Sequence, residues 1–325
     1  MKRPLAAAVL ACAMVVAGCG TDHASTATGA QPGPAGAPAQ GTAASPKLPA
    51  TVIDKVGKPV VITDVSRIVV LNGDIAEVVF ALGLGANVVA TDTSSTFPAE
   101  VKALPKVGYQ RTLAAEGILS QRPTVVLGDE GAGPPAVLEQ VQGAGTPVVL
   151  LATGKTLEAP AAKIRAVAAA LGVAADGERL ASKVNAEIEE ARRPLARVTG
   201  AKPRVAFLYV RGTSTLMIGG KDSGADAMIA GAGGIDAGTE AGMVNFVPLT
   251  AESLVAANPD VLLLLSAGLT SVGGIDGLMG LPGVAQTSAG QARRVLAYDD
   301  LYLIGLATRT GAALGELVKG LHPGL

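Results

Sequence analysis

The sequence predicts an α/β molecule built as two Rossmann-like lobes joined by one long backbone helix. Three observations carry that expectation. From Thr51 onward, short β-branched runs alternate with amphipathic segments, the pattern of strands followed by covering helices. One stretch, residues 173–200, breaks this rhythm with apolar residues at three- and four-residue spacing. The segments on either side of that stretch repeat each other without a gap.

The elements follow in chain order. Lys2 and Arg3 precede an unbroken apolar and small-residue run from Leu5 to Ala17, an h-region in length rather than a membrane-spanning helix. Residues 1–18 are therefore expected to be a signal peptide. The small residues before Cys19 resemble a bacterial lipobox, in which the cysteine is acylated; the other reading is a plain secretory signal that ends near a cysteine. Residues 19–50 form the expected tether, rich in Gly, Ala, Pro, Ser and Thr, a composition that cannot bury enough apolar surface to fold and reaches roughly 30 Å when flexible. Beyond Cys12 and Cys19 the chain has no cysteine, which excludes disulfides and thiolate sites in the folded part.

The first lobe is placed at residues 51–172. Its strands are expected at Ile68–Leu71, Val88–Thr91, Thr124–Leu127 and Pro147–Leu151, its helices at Asp74–Leu82, Leu113–Gln121, Pro135–Gln142 and Leu157–Leu171. The linking segment, 173–200, spaces Leu180, Val184, Ile188, Ala191, Leu195 and Val198 along one helical face, and Pro194 should kink or fray its last turn. The second lobe, 201–325, carries expected strands at Arg204–Val210, Thr215–Ile218, Val261–Leu265 and Arg294–Ala297. Its helices are expected at Ser223–Ala230, Thr250–Ala257 and Leu301–Gly320. Thr112 to Leu127 aligns with Pro248 to Leu263, and Leu113/Leu249, Ala115/Ala251, Glu116/Glu252, Pro123/Pro259 and Val125/Val261 are identical. Two similar lobes create a cleft between them, the usual place for a ligand.

Composition narrows the function. Lys+Arg (26) and Asp+Glu (27) nearly cancel, for a net charge of −1, which argues against a nucleic-acid or anionic-membrane binder. Four Tyr, four Phe and no Trp leave little for sugar- or base-stacking surfaces. Gly154-Lys-Thr156 invites a phosphate-loop reading, but the required earlier glycine is Val149. Gly83-Leu-Gly85 follows a helix and lacks the third glycine of a dinucleotide site. There is no Gly-x-Ser-x-Gly, and with two histidines, His23 and His322, a His-based triad or a clustered zinc or manganese site is not indicated.

Lipobox, tether, two α/β lobes, one linking helix and Leu-x-Ala-Glu…Pro-[Thr/Asp]-Val in both lobes together resemble the class III substrate-binding proteins of bacterial ABC importers. These carry haem, cobalamin or ferric siderophores. Val107-Gly-Tyr-Gln-Arg-Thr-Leu-Ala-Ala-Glu-Gly117 resembles the haemin-binding branch in particular. The resemblance covers about residues 51–325. It implies a monomeric, lipid-anchored receptor on the extracytoplasmic face of the cell membrane that captures haem as transported ligand, catalyses nothing, and delivers it to a permease with its ATPase. A ferric-siderophore or cobalamin carrier of the same class is the alternative, and a haem-sensing or haem-relay lipoprotein a further one.

The resemblance also implies site residues. Tyr109 would ligate ferric haem iron, and phenolate is a hard anionic donor suited to Fe(III). Arg111 would support the anion and face the same side if the segment is extended. Tyr209 and Arg211 repeat the Tyr-x-Arg spacing on a second-lobe strand; Tyr209 is either a second iron ligand or a cleft-wall residue. Arg309 stands where relatives have a Gly-Pro-Arg, here without the Gly and Pro. It is read either as a propionate partner, which suits a guanidinium, or as a helix-surface arginine. Glu116 and Glu252 would dock the two lobes on permease arginines, although a first-turn glutamate is also favoured by the helix dipole. Asn72, Ser94, Ser95 and Thr96 lie on loops expected near the cleft.

Overall fold

A computed structural model describes residues 45–325 apart from residue 56. The expected signal peptide, the expected acylation site Cys19 and most of the expected tether lie outside the described residues. The first element is a hairpin, β1 (Ala50–Ile53) against β2 (Pro59–Ile62), and the chain ahead of it is tied down where the Lys47 N–H donates to the Gly172 carbonyl at 2.8 Å. Sequence periodicity gave no strand here, because β1 and β2 are four residues each and cover other elements rather than form the sheet core.

The first lobe is a four-stranded parallel sheet of β3 (Ile68–Val70), β4 (Val88–Thr91), β5 (Val125–Asp129) and β6 (Val148–Leu151), ordered β4-β3-β5-β6. Their Val, Ile and Leu side chains are buried on both faces, as a parallel sheet covered by helices requires. Helices α1 (Gly73–Ala81), α2 (Ala115–Leu119), α3 (Pro135–Gly143) and α4 (Ala159–Ala170) supply the cover. The chain leaves β3 for β4 on one side and returns to β5 on the other, so the strand order reverses at the carboxyl ends of β3 and β5. Ligands of open α/β sheets bind in the crevice at such a reversal. Gly73 fits there because a Cβ would lie 2.8 Å from the Ser94 carbonyl oxygen.

The linking helix α5 runs Ala174–Arg192 and passes into a 3₁₀ turn, Arg193–Arg197, at Pro194. At 1.5 Å per residue it is roughly 28 Å long. Val184 and Ile188 are buried in one cluster with α4 residues Ile164 and Ala168 and with Leu314 and Leu317 of the C-terminal helix Thr310–Leu321. One helix therefore packs on an element of each lobe.

The second lobe is a mixed sheet of β7 (Arg204–Arg211), β8 (Thr215–Gly219), β9 (Ile235–Asp236), β10 (Phe246–Pro248), β11 (Val261–Leu265) and β12 (Val295–Tyr298). The path is β10-β8-β7-β11-β12, with β9 alongside β7. β7, β11 and β12 are parallel, while β8 runs antiparallel to both β7 and β10. Helix Ala251–Ala257 is capped by Thr250, whose hydroxyl accepts from the Ser253 N–H at 3.1 Å. The helix expected over Leu301–Gly320 is instead two helices, Asp300–Ile304 and Thr310–Leu321. Leu306 at φ +47° interrupts them, and the residues between turn towards the first lobe. The short helices Ser266–Ser271, Gly274–Met279 and Ser288–Gln291 escaped the periodicity because each spans too few turns to show one.

Candidate functional site

Between the lobes lies a cleft of about 680 Å³, within the size range of small-molecule sites. From the first lobe it receives the ends of β3 and β5, the loops after β4 and β6, and the turn that bears Tyr109. The second lobe contributes β7, β8 and the broken helix around Gly305. Tyr109, Arg111, Tyr209 and Arg211 all line this one cleft.

Tyr109 sits in a turn, its carbonyl accepting from the Thr112 N–H at 2.8 Å. The segment is thus not extended, as the shared facing of Tyr109 and Arg111 had presupposed. A turn brings residues i and i+2 to one mouth equally well, with Gly108 at φ +106° making the entry. Tyr109 is 45% exposed and forms no hydrogen bond through its hydroxyl among the described residues. Gln110, between the two, is buried and also lines the cleft.

On β7, Tyr209 and Arg211 lie two apart and share a face. The Arg211 guanidinium carbon stands 4.5 Å from the Tyr209 ring centroid, and the ring meets Phe246 edge-on at 5.5 Å. Arg211 is ion-paired with Asp300. Burial pushes the Asp300 carboxyl above its usual range, with Arg211 opposing the shift. Met217, Leu265, Leu301, Ile304 and Leu306 complete an apolar wall.

The cleft floor holds a polar cluster. Asn72 donates to Asp129, whose carboxyl is raised chiefly by burial, with the Gly131 N–H pulling the other way and the charges of Asp74 and Glu130 adding to the rise. Asp74 pairs with Lys163, both nearly inaccessible, and Lys163 also donates to the Gly305 carbonyl of the other lobe at 2.7 Å. Asp129, Asp74, Lys163 and Asp300 were not singled out from sequence, because no motif marks a charge whose partner is dozens of residues away. Asn72 and Ser94 do line the cleft. Ser95 is instead buried against Asp92, and Thr96 is exposed outside it.

Arg309 does not reach the cleft. Its Nε and Nη2 donate to Glu77 Oε2 at 3.0 and 2.9 Å and its backbone N–H to Oε1 at 3.0 Å, while the guanidinium lies 3.6 Å above the Phe97 ring. Glu77 is only 2% exposed, so this arginine neutralises a buried carboxylate across the lobe boundary. The propionate role read for it is corrected accordingly. His322 lies with a ring nitrogen 2.9 Å from the Ala232 carbonyl, away from the cleft, and His23 is outside the described residues. Glu116 and Glu252 each occupy the first turn of a short helix, exposed and without an ion pair among the described residues.

The sequence matches the family model described as periplasmic binding protein over residues 68–302. The chain belongs to that family. Solved periplasmic binding proteins share its architecture closely. The apo periplasmic heme-binding protein RhuT from Roseiflexus sp. RS-1 superposes with a TM-score of 0.78 at 52% identity, covering 80% of this chain and 99% of that one. The heme binding protein HmuT gives 0.80 at 39% identity over 86% and 91% of the two chains. Both are class III periplasmic binding proteins. Among curated relatives, an uncharacterized ABC transporter substrate-binding lipoprotein of Bacillus subtilis (strain 168), YvrC, is 25% identical over 66% of this chain and 69% of its own. The vitamin B12-binding protein of Vibrio campbellii is 25% identical over 44% of this chain and half of its own length. This periplasmic binding protein has no helix, among its described residues, long and apolar enough to cross a membrane.

Proposed function

We propose that this protein captures ferric haem outside the cytoplasm and delivers it to an ABC importer. The observation that carries the reading is the pair of Tyr-x-Arg units, Tyr109/Arg111 and Tyr209/Arg211, lining one apolar-walled cleft from opposite lobes. Haem is a flat apolar macrocycle with an Fe(III) centre and two carboxylates. Such a ligand asks for apolar walls, a hard oxygen donor and cations, and the cleft offers each. Tyr109 is the exposed phenol whose oxygen ligates the iron, and the neighbouring guanidinium of Arg111 favours the phenolate. Tyr209 approaches the opposite face with Arg211 over its ring. The likeness to haem-binding proteins at 52% and 39% identity supports this cargo over vitamin B12.

The other roles follow from the same reading. The protein works as a monomer held to the membrane by a lipid on Cys19, and Glu116 and Glu252 dock it on the permease. It performs no chemistry on its cargo; the ATPase of the importer does the work.

An absorption titration of the purified protein with haemin tests the proposal. The expected result is a saturable Soret shift and a tyrosinate-to-iron charge-transfer band, both abolished by Tyr109→Ala. In Tyr209→Ala a changed spectrum would mark a second ligand, and an unchanged one a wall residue. A wild-type spectrum identical to free haemin would overturn the haem assignment and turn attention to cobalamin and ferric siderophores.

A further inference from the structure

Four cations line the cleft: Arg111, Lys155, Lys163 and Arg211. Two of them are already committed to carboxylates. Lys163 is buried against Asp74, and Arg211 is paired with Asp300. Arg111 stands in the same turn as Tyr109, on the iron side of the proposal above. Lys155 is different. It sits on the loop between β6 and α4, at the carboxyl end of the first-lobe sheet, and is exposed. It makes no ion pair among the described residues. Its ammonium donates to a neutral group across the mouth of the cleft, the backbone carbonyl of Asp222 in the second lobe, at 2.7 Å.

From this arrangement we infer that Lys155 is the cation that binds a carboxylate of the cargo at the rim of the cleft. The inference rests on the haem reading and adds to it the residue that meets a propionate. A bond from an ammonium to a carboxylate is stronger than one to a neutral carbonyl, so an arriving carboxylate displaces Asp222 and takes over the same donor. Lysine suits the task because a point charge on a flexible stem needs no fixed bidentate geometry. The contact with Asp222 holds the ammonium over the opening until then, spanning the two lobes. The Gly154-Lys-Thr156 loop, which mimics part of a phosphate loop in sequence, thus serves a carboxylate.

The test compares two ligands that differ only in their carboxylates, haemin and haemin dimethyl ester, titrated into wild type, Lys155→Met and Lys155→Arg. In Lys155→Met haemin is expected to bind roughly three- to fivefold more weakly, the range of one partly exposed ion pair. The ester should bind wild type and Lys155→Met equally, with an unchanged Soret position, and Lys155→Arg should restore haemin binding. Equal weakening of both ligands, or no weakening of either, overturns the inference. Failure of the haem reading itself looks different: wild type would then shift neither ligand's Soret band.

Discussion

The Asp74–Lys163 pair shows how a single buried charge is made tolerable. Lys163 lies on α4 with 2% of its side chain exposed, where an unpaired ammonium would cost several kcal/mol of solvation. Asp74 and the Gly305 carbonyl are its partners. Asp74→Ala should therefore destabilise the protein by about 3–5 kcal/mol, because it strands the lysine. Adding Lys163→Met to that variant should recover most of the loss, since a buried pair is often replaceable by apolar groups of similar volume. Urea unfolding of wild type, single and double variants decides it; a double variant no more stable than Asp74→Ala would contradict the account. The two residues are 89 positions apart, which is why they were invisible in the sequence. The same distance effect hid the true partner of Arg309, Glu77. Tyr109 and Tyr209 were legible because each stands in a short local pattern, Tyr-x-Arg, that occurs once in each lobe outside the aligned repeat.

Elements were legible in proportion to their length and burial. Buried strands such as Val88–Thr91 and Val261–Leu265 fall where the β-branched and leucine runs predict them, whereas the C-terminal helix breaks at Gly305–Arg309 for a tertiary reason. In a continuous helix the Gly305 carbonyl would accept from the Arg309 N–H, whereas here that carbonyl accepts from Lys163 and that N–H donates to Glu77. Behind the break, the final helix seals β12. Tyr298 on β12 is 6% exposed, and Glu316 on the helix accepts from the Tyr302 hydroxyl at 3.0 Å. Burial, helped by the charge of Glu316, pushes the Tyr298 phenol up from 10.0 to about 12. In the unfolded chain the phenol ionises near its ordinary value, so between those two values the folded state holds more protons. Stability from this group is complete below pH 10 and is lost as pH rises towards 12, by an amount on the order of 2–3 kcal/mol. Tyr298→Phe should flatten the alkaline limb of a stability-versus-pH curve measured by urea midpoints. An unaltered slope between pH 9 and 11.5 would refute the assignment.

At the scale of the molecule, the lobe boundary is crossed, besides the exposed Lys155–Asp222 contact, by α5 packed on α4 and on the C-terminal helix, by Lys163 bonded to the Gly305 carbonyl, and by Arg309 clamped on Glu77. The Lys163 and Arg309 contacts are buried and polar and cannot be broken cheaply, so they resist a change in the relative arrangement of the lobes and in the spacing of Glu116 and Glu252. A receptor with fixed spacing can be read by a permease as a two-point template, to which each point adds its own share of the engagement. Each glutamate lies exposed in the first turn of a helix, where the dipole accounts for a negative charge but not for the same register in both lobes. Reversing both, Glu116→Lys with Glu252→Lys, should leave the haemin spectrum and affinity in solution as in wild type. Transport into proteoliposomes that carry the permease and its ATPase should fall by tenfold or more, about the loss of two interfacial charge pairs and the repulsion that replaces them. Each single reversal should fall between, since one point still engages. Undiminished transport by the double variant would show that the glutamates serve only their helices and that docking lies on some other surface of the lobes.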